Sequence, residues 1–421
     1  MVARIRPSSI AALAAGHACV DVYQGAVAAL VPFFVAERAY GYAAASGIVL
    51  AASLLSSVAQ PLFGVFTDRR AAPWLLPVAT IVSGCGTALS GIAGSYALTL
   101  TFVAVSGIGV AAYHPESARV ARIISAGRHT AMGWYSLGGT IGFAAAPLLV
   151  AVVVATGGLR CTPLLLVPAL AGSVLCLPVL RALGGAIHPT SAPRGTRGVD
   201  DVASFAKLAL AVAFRSVVFV GTATFVALYA QQRTDGGALA GSSALFVLYL
   251  GAAVGTVLGG RLAASRKRIT VVRRSYLCAV AALAGLVFVP GPPLYLCIAF
   301  TSVCLYVPFS LQVTLAQDYL PSRVGTASGV TLGLSVSVGG IASPLIGALA
   351  DRTSLGTALI PLIGLPALGW LALRTLPEPA NPHPAHRLDP PSPPHDRDHH
   401  APPASPVSGA TPTATRRPSR P

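Results

Sequence analysis

Residues 9–35 read SIAALAAGHACVDVYQGAVAALVPFFV, an apolar run that contains a single carboxylate, Asp21, and a single imidazole, His17. About 20 apolar residues suffice for a helix to cross the hydrocarbon core of a bilayer. We therefore predict an all-α, polytopic membrane protein with twelve transmembrane helices. The eleven further runs lie at 42–66, 73–93, 96–117, 130–155, 162–181, 206–230, 242–264, 270–289, 293–316, 325–349 and 356–375.

The composition favours a membrane protein over a very apolar soluble one, because 54% of the 421 residues are hydrophobic and only 10% are charged. The net charge of +16 does not indicate a nucleic-acid partner, since the basic residues lie in short clusters between the apolar runs. The seven cysteines form no CxxC pair, and no zinc or phosphate-binding motif is present. We therefore expect no metal, no cofactor and no nucleic acid, and we expect a monomer.

The basic residues divide unequally between the two sides of the predicted bundle. If successive spans alternate in direction, 19 of the 29 Arg and Lys residues fall on the side that holds the N-terminus. Four fall on the opposite side: Arg38, Arg160, Arg233 and Arg352. Because Arg and Lys are enriched in the cytoplasmic loops of membrane proteins, both termini are expected in the cytoplasm.

A polar loop and an internal repeat divide the chain. The predicted parts are a six-helix half at 1–181, a central loop at 182–205, a second six-helix half at 206–376 and a disordered Pro- and His-rich tail at 377–421. Residues 142–147 (GFAAAP) match residues 339–344 (GGIASP), 197 positions later. Two six-helix repeats place a binding site at their interface, near the middle of the bilayer.

Several stretches resemble the major facilitator superfamily. Residues 64–70 (GVFTDRR) resemble its loop signature GxxxD(R/K)xGR(R/K), although the second glycine and basic pair are missing. The second-half copy at 260–268 has Ala264 where the signature has its acid, so gating by that acid is expected only in the first half. This resemblance implies twelve helices in two six-helix halves that transport by alternating access.

Three runs are similar to the fosmidomycin-resistance-like branch of that superfamily. They are 17–21 (HACVD), 113–122 (YHPESARVAR) and 323–329 (RVGTASG). The resemblance covers roughly residues 10–376. It implies a proton-driven exporter of small molecules, fosmidomycin-like drugs or other antibiotics among them, in a bacterial cytoplasmic membrane.

Asp21 and His17 are the first candidates for proton coupling. At 1.5 Å per residue, Asp21 lies about 18 Å along a helix that starts near Ser9, so it falls near the middle of the bilayer. A carboxyl group there is poorly solvated, which suits a group that gains and loses a proton in each cycle. His17 is one turn earlier on the same face and can orient Asp21, share its proton or bind an anion. The alternatives are a neutral Asp21 bonded to a neighbouring helix and a His17 that only packs.

Arg215 lies about ten residues into the seventh span, and the repeat places it opposite residue 19, beside Asp21. We expect Arg215 to bind an anionic group of the substrate, or Asp21 when the site is empty. Its planar guanidinium suits a phosphonate or a carboxylate. The alternative is a structural arginine paired within its own half.

Glu116 and His114 lie at the inner end of the fourth span, and both are candidates for a gate or a proton exit. Arg119 and Arg122 can pair with Glu116 at helical spacing. The alternative is a solvated ion pair that contributes little.

The remaining candidates are expected to gate or to pack helices. Asp68 is expected to cap the eleventh span and hold the inner side shut, with Arg69 and Arg70 beside it and a close helix contact at Gly64. An ordinary helix-ending turn is the alternative. Four residues are expected to bend and pack helices: Gly142, Pro147, Gly339 and Pro344.

The sequence thus predicts a secondary transporter that carries a small molecule and protons. A metabolite importer or uniporter of the same fold is the first alternative, and it would need no proton site. A membrane enzyme built on Ser117, His114 and Glu116 is disfavoured, because one helix cannot aim all three side chains at a single point.

Overall fold

The chain folds almost entirely into helices. The structure is a computed structural model that describes residues 7–125, 129–183, 199–234 and 236–379. Its helices are α1 (Pro7–Arg38), α2 (Tyr42–Arg69), α3 (Leu75–Ile92), α4 (Tyr96–Ser125), α5 (His129–Ala155), a 3-10 helix (Gly158–Leu165), α6 (Leu166–Leu183), α7 (Val202–Arg233), α8 (Gly237–Ser265), α9 (Arg268–Phe288), α10 (Leu294–Tyr306), α11 (Phe309–Tyr319), α12 (Val324–Arg352) and α13 (Leu355–Leu373).

Twelve membrane-spanning segments are present in the described part of the chain, which confirms the prediction. Two of them are less regular than predicted. The sixth span begins as the 3-10 helix Gly158–Leu165 and continues as α6. The tenth span is divided into α10 and α11 around Pro308, because proline lacks the backbone N–H that would continue the helix.

The predicted domain limits need two corrections. Helix α7 begins at Val202, inside the predicted central loop, because the carboxylate of Asp201 accepts a hydrogen bond from the backbone N–H of Ser204 and caps the helix. The predicted tail begins too early. The carboxylate of Glu378 accepts hydrogen bonds from Arg268 Nε and from the Ile269 backbone N–H, each at 2.9 Å, so this residue caps α9. The rest of the predicted tail, from residue 380, lies outside the described residues.

The two halves repeat the same packing. A Cβ added at Gly142 on α5 would collide with the carbonyl oxygen of Ala18 on α1, and one at Gly339 on α12 would collide with that of Ser216 on α7. These two glycines therefore bring α5 against α1 and α12 against α7, which supports the repeat that the sequence predicts.

A second repeated contact lies at the C-terminal ends of α1 and α7. The guanidinium of Arg38 donates to the carbonyl of Gly91 at the end of α3, at 2.8 Å. That of Arg233 donates to the carbonyl of Phe288 at the end of α9, at 3.2 Å. A cation at a helix C-terminus is favourable because that end carries partial negative charge.

The halves are clamped together at the end that holds the α1–α2 turn. Asp351, at the end of α12 in the second half, accepts hydrogen bonds from the backbone N–H groups of Tyr42 at 2.7 Å and Ala43 at 3.0 Å. It thereby caps α2 of the first half, a role that a carboxylate performs well. Beside this cap, the Gln232 amide donates to the Tyr42 hydroxyl at 3.1 Å.

The opposite end carries an acid that ties the central loop to the α11–α12 turn. Asp200 accepts from the Ser322 hydroxyl at 2.5 Å and from the Ser322 backbone N–H at 3.0 Å. These hydrogen bonds, the hydroxyl first, lower the pKa of Asp200 below its ordinary value of 3.8. The contact is therefore fully present above that value and is lost only as the pH falls through the lowered pKa. It does not respond to pH changes near neutrality.

The glycine contact between α5 and α1 gives a first prediction. We expect Gly142→Ala to destabilise the protein by about 1–3 kcal/mol, because the new methyl group forces α5 away from Ala18. Gly364→Ala is the matched control, since a Cβ added there meets nothing within 4 Å. Thermal unfolding of the purified protein in detergent measures both. Equal melting temperatures for the two variants would contradict the packing role.

The Asp351 clamp gives a second prediction. Removing a helix cap costs about 1 kcal/mol, so Asp351→Ala should raise the ratio of open to closed clamp about fivefold. Asp351→Asn keeps an acceptor and should change it less. Spin labels on cysteines at Gly94 and Ala238, in a variant without the native cysteines, would report the distance between the halves. Identical distance distributions in both variants and the parent would refute the clamp.

Candidate functional site

Two histidines converge on one buried carboxylate inside the first half. His17 and Asp21 are contributed by α1 and His114 by α4. The Nε2 atom of His17 lies 3.4 Å from Asp21 Oδ2, and the Nε2 atom of His114 lies 3.1 Å from Asp21 Oδ1. His17 and Asp21 are buried, and the His114 side chain is 24% exposed. We call these three residues the Asp21 cluster.

Backbone carbonyls fix which ring nitrogens of the histidines carry hydrogen. His17 Nδ1 lies 3.0 Å from the carbonyl oxygen of Tyr135, and His114 Nδ1 lies 2.8 Å from that of Val110. A carbonyl oxygen only accepts, so both Nδ1 atoms must be donors. Each Nε2 atom is therefore bare when its ring is neutral and protonated when its ring is charged. Both of these variable positions face Asp21.

Without added protons, the polar atoms of the Asp21 cluster cannot all form hydrogen bonds. With both rings neutral and Asp21 ionised, the two Nε2 atoms and the carboxylate are all acceptors. His17 Nε2 and Asp21 Oδ1 are buried and have no hydrogen bond of good geometry. Because unpaired polar atoms are costly inside a protein, each proton that enters gives the cluster a hydrogen bond. The cluster has room for two such protons, one between each Nε2 atom and the carboxylate oxygen that it faces.

Neighbouring groups on α4 and α5 hold the Asp21 cluster in place. The ring of Tyr135 stacks on His17 with a centroid distance of 4.3 Å, and its hydroxyl lies 2.6 Å from Ser117 Oγ. A Cβ added at Gly139 would come within 2.6 Å of His17 Cε1, so only glycine lets α5 approach here. Tyr113 lies on the other side of His17.

The same atoms form a possible metal-ligand set. One ligand atom each from His17, Asp21 and His114 lie within 4.8 Å of one another. Two imidazoles and a carboxylate suit zinc and similar ions, with the Nδ1 hydrogen bonds as supporting contacts. One proton can also occupy the place of such an ion. The expectation of no metal site therefore stays a prediction.

A cavity of about 530 Å³ lies between the two halves, next to the Asp21 cluster. Tyr23 and Gln24 of α1 line it, as does Val110, whose carbonyl holds His114. Its wall runs from the middle of α2 and α12 towards the ends that face away from the Asp351 clamp. Among the residues that the structure describes, none that lines the cavity is charged.

The comparisons with known proteins agree with this architecture. The family model described as Major Facilitator Superfamily matches residues 13–344. The chain belongs to the major facilitator superfamily. As a member of it, the chain is a multi-pass bacterial membrane transporter and not an enzyme.

Two curated members of the superfamily are similar over most of the chain. The fosmidomycin resistance protein of Escherichia coli (strain K12) is 28% identical over 375 residues, which cover 86% of this chain and 91% of that protein. The uncharacterised MFS-type transporter YfnC of Bacillus subtilis (strain 168) is 32% identical over 368 residues, which cover 85% and 90%.

Solved structures of the superfamily share the fold at low sequence identity. A bacterial homologue of the human lysosomal transporter Spinster, in an inward-facing and occupied conformation, matches with a TM-score of 0.76 and 16% identity over 90% of this chain and 99% of that one. The nucleoside transporter NupG matches with a TM-score of 0.69 and 12% identity over 88% and 99%. Both likenesses show the fold alone.

Within this superfamily fold, Arg215 does not pair with Asp21, contrary to one of the sequence-based expectations. Its guanidinium donates within its own half, to Gln312 Oε1 at 3.0 Å and to Ser335 Oγ at 2.9 Å. Asp21 is held by His17 and His114 instead. Each group lies on the equivalent helix of its half, α1 or α7, and each is buried among the helices of that half.

Glu116 is not the solvated ion pair that the sequence allowed. It is fully buried, and Arg119 Nε donates to its Oε2 at 2.9 Å while Arg119 Nη2 contacts its Oε1. The pair lies within α4 and makes no ion pair with the Asp21 cluster in the described part of the chain. The side chain of Arg122 lies outside the described residues.

The structure changes the expectation for Gly64. A Cβ added there meets no described atom within 4 Å, so Gly64 makes no close contact with the described helices and lines the cavity instead. Arg70 follows α2 and is exposed. The side chains of Asp68 and Arg69 lie outside the described residues, and their gating role stays a prediction.

The sequence analysis missed a polar stripe on α2. Ser53, Ser56, Ser57 and Gln60 face the cavity at helical spacing, one turn after another. The signal was present as uncharged polar residues with a 3.6-residue period inside an apolar run. It was missed because only ionisable residues were considered as binding sites for protons or substrate.

Proposed function

We propose that the chain couples transport of a small molecule to the movement of protons through the Asp21 cluster. The observation that carries the proposal is the convergence of two Nε2 atoms, 3.4 and 3.1 Å away, on one buried carboxylate. Such a group of acceptors binds protons because each proton supplies a missing hydrogen bond. Ionisable groups inside membrane helices commonly serve as proton relays.

The proton state of the Asp21 cluster would reach the substrate through shared elements. Tyr23 and Gln24 follow Asp21 on α1 and line the cavity, and Val110 both lines the cavity and holds His114. A change of charge at Asp21 alters how firmly α1 and α4 are joined. Both helices form the cavity wall, so the change also alters the binding surface.

We further propose that the transporter exports its substrate from the cytoplasm. The excess of Arg and Lys on the side of the termini supports a cytoplasmic location of both ends. The cavity wall then runs towards the cytoplasm, and the Asp351 clamp closes the far side. The similarity to a fosmidomycin resistance protein supports fosmidomycin-like drugs as substrates. Import or uniport of a metabolite is the second candidate.

The inner gate in this proposal lies at the cytoplasmic ends of α2 and α4. Asp68 would cap the start of α12 when the cytoplasmic side closes, with Arg69 and Arg70 beside it. The buried pair of Glu116 and Arg119 would stiffen α4, with Arg122 one turn further on. The gate and the clamp would then open alternately.

Proton movement in everted vesicles tests the proposal. The vesicles are energised, fosmidomycin is added, and the pH gradient is followed both with and without a metal chelator. Antiport predicts that the gradient falls on addition of the drug. It also predicts that Asp21→Asn abolishes the response, and that His114→Gln reduces it at least tenfold, because one proton position is lost.

Asp201→Asn is the matched control, since asparagine caps a helix as well as aspartate does and Asp201 lies outside the cavity. Its response should equal that of the parent. Drug transport that persists in Asp21→Asn without proton movement would favour the uniporter. A response that disappears only on addition of the chelator would assign the Asp21 cluster to a metal ion.

A further inference from the structure

The second half contains a buried positive charge without an acidic partner. The Arg215 side chain lies in the middle of α7, and the residue is 2% exposed. No carboxylate forms an ion pair with it among the described side chains. An unpaired cation inside a membrane protein is costly, so its presence calls for a function.

The contacts of Arg215 involve all three of its side-chain nitrogens but supply no negative charge. Gln312 and Ser335 accept through an amide oxygen and a hydroxyl, and the Leu305 carbonyl lies 3.5 Å away. All three acceptors are neutral. The rings of Tyr306 and Phe309 flank the guanidinium, with centroids 5.8 and 5.2 Å from Cζ. The faces of these rings offset part of the positive charge but carry no net negative charge. The rings also exclude water, which strengthens the attraction between the guanidinium and an anion.

A purely structural role would be to satisfy backbone groups at the division of the tenth span. Pro308 cannot donate to the carbonyl of Cys304, and the Ser275 hydroxyl donates to that carbonyl at 2.6 Å instead. Arg215 offers the neighbouring Leu305 carbonyl only a long contact of 3.5 Å. The neutral Ser275 hydroxyl thus forms a shorter hydrogen bond with the Cys304 carbonyl than the Arg215 guanidinium forms with the Leu305 carbonyl. The division therefore does not explain the charge.

Arg215 stands directly behind the cavity wall. Ser335 and Tyr306 both line the cavity, and both also contact the guanidinium. A rotation of the Ser335 side chain would free one N–H group towards the cavity. Four aromatic residues form the adjoining wall: Phe143, Phe219, Tyr249 and Tyr306.

We propose that the transported substrate is an organic anion whose carboxylate, phosphate or phosphonate group binds Arg215 in place of Ser335. The planar guanidinium offers such a group parallel hydrogen bonds, and the aromatic wall covers the apolar remainder of the molecule. The inference rests on the proposed transport of a small molecule through this cavity. It does not depend on proton coupling at Asp21.

Matched pairs of ligands test the substrate class on the purified, full-length protein. Thermal unfolding is measured with benzoate against benzamide and with phenylphosphonate against benzyl alcohol, at constant ionic strength. A ligand that binds the folded state raises the melting temperature in a saturable way. We expect this for the two acids, whereas their neutral partners should have little effect.

Two variants assign the effect to Arg215. Arg215→Met keeps the volume and removes the charge, and such replacements of buried charges are often tolerated. It should weaken binding of the acids at least tenfold. Ser335→Ala removes the competing acceptor and should bind the acids at least as tightly as the parent. The second variant keeps the guanidinium, so a folding failure of the first does not prevent the test.

Three results would overturn the anion site: equal effects of acids and neutral partners, acid binding that survives Arg215→Met, or full protection by inorganic phosphate alone. Thermal unfolding needs no proton gradient, so it tests acid binding separately from proton coupling. Acid binding through Arg215 without drug-driven proton movement would refute the coupling and leave the anion site in place.

Discussion

The cost of holding a charge in hydrocarbon shapes the interior of both halves. Asp21 is contacted by His17 and His114, whose Nδ1 atoms form hydrogen bonds with backbone carbonyls. Arg215 is met by neutral acceptors and aromatic rings. Both groups lie on the most buried of the described spans, α1 and α7. In each of these spans, 72% of an apolar 18-residue stretch is buried. Glycines on α5 and α12 then allow these two helices to be packed closely, which keeps lipid away from the charges.

The repeated scaffold carries opposite chemistry in its two halves. Helix α1 packs on α4 and α5, and α7 packs on α11 and α12. On the equivalent helices α1 and α7, the first half offers a carboxylate next to two imidazoles, and the second offers the Arg215 guanidinium. The proposed sites for protons and for an organic anion therefore lie in different halves, each next to the cavity. In this arrangement each half binds a different species, and the protons and the anion do not have to displace each other directly.

The spans could be predicted from the sequence because hydropathy is a local property, and the glycine motif at 142–147 because the repeat reveals it. Contacts between distant residues could not. His114 was a candidate, but nothing local shows that it meets Asp21, 93 residues earlier. The Asp351 cap joins residues more than 300 positions apart. Gly64 was misjudged because a motif gives no information about which conformation brings its helix into contact.

The relative energies of clamp and proton suggest how the proposed cycle proceeds. A helix cap such as the one from Asp351 contributes about 1 kcal/mol. One elementary charge that crosses a membrane at 100 mV releases about 2.3 kcal/mol. If the Asp21 cluster takes up one proton per cycle, the free energy released by that proton exceeds the free energy needed to open the clamp. The cap is thus strong enough to keep the far side closed at rest and weak enough to yield, which a buried ion pair spanning the halves would not be.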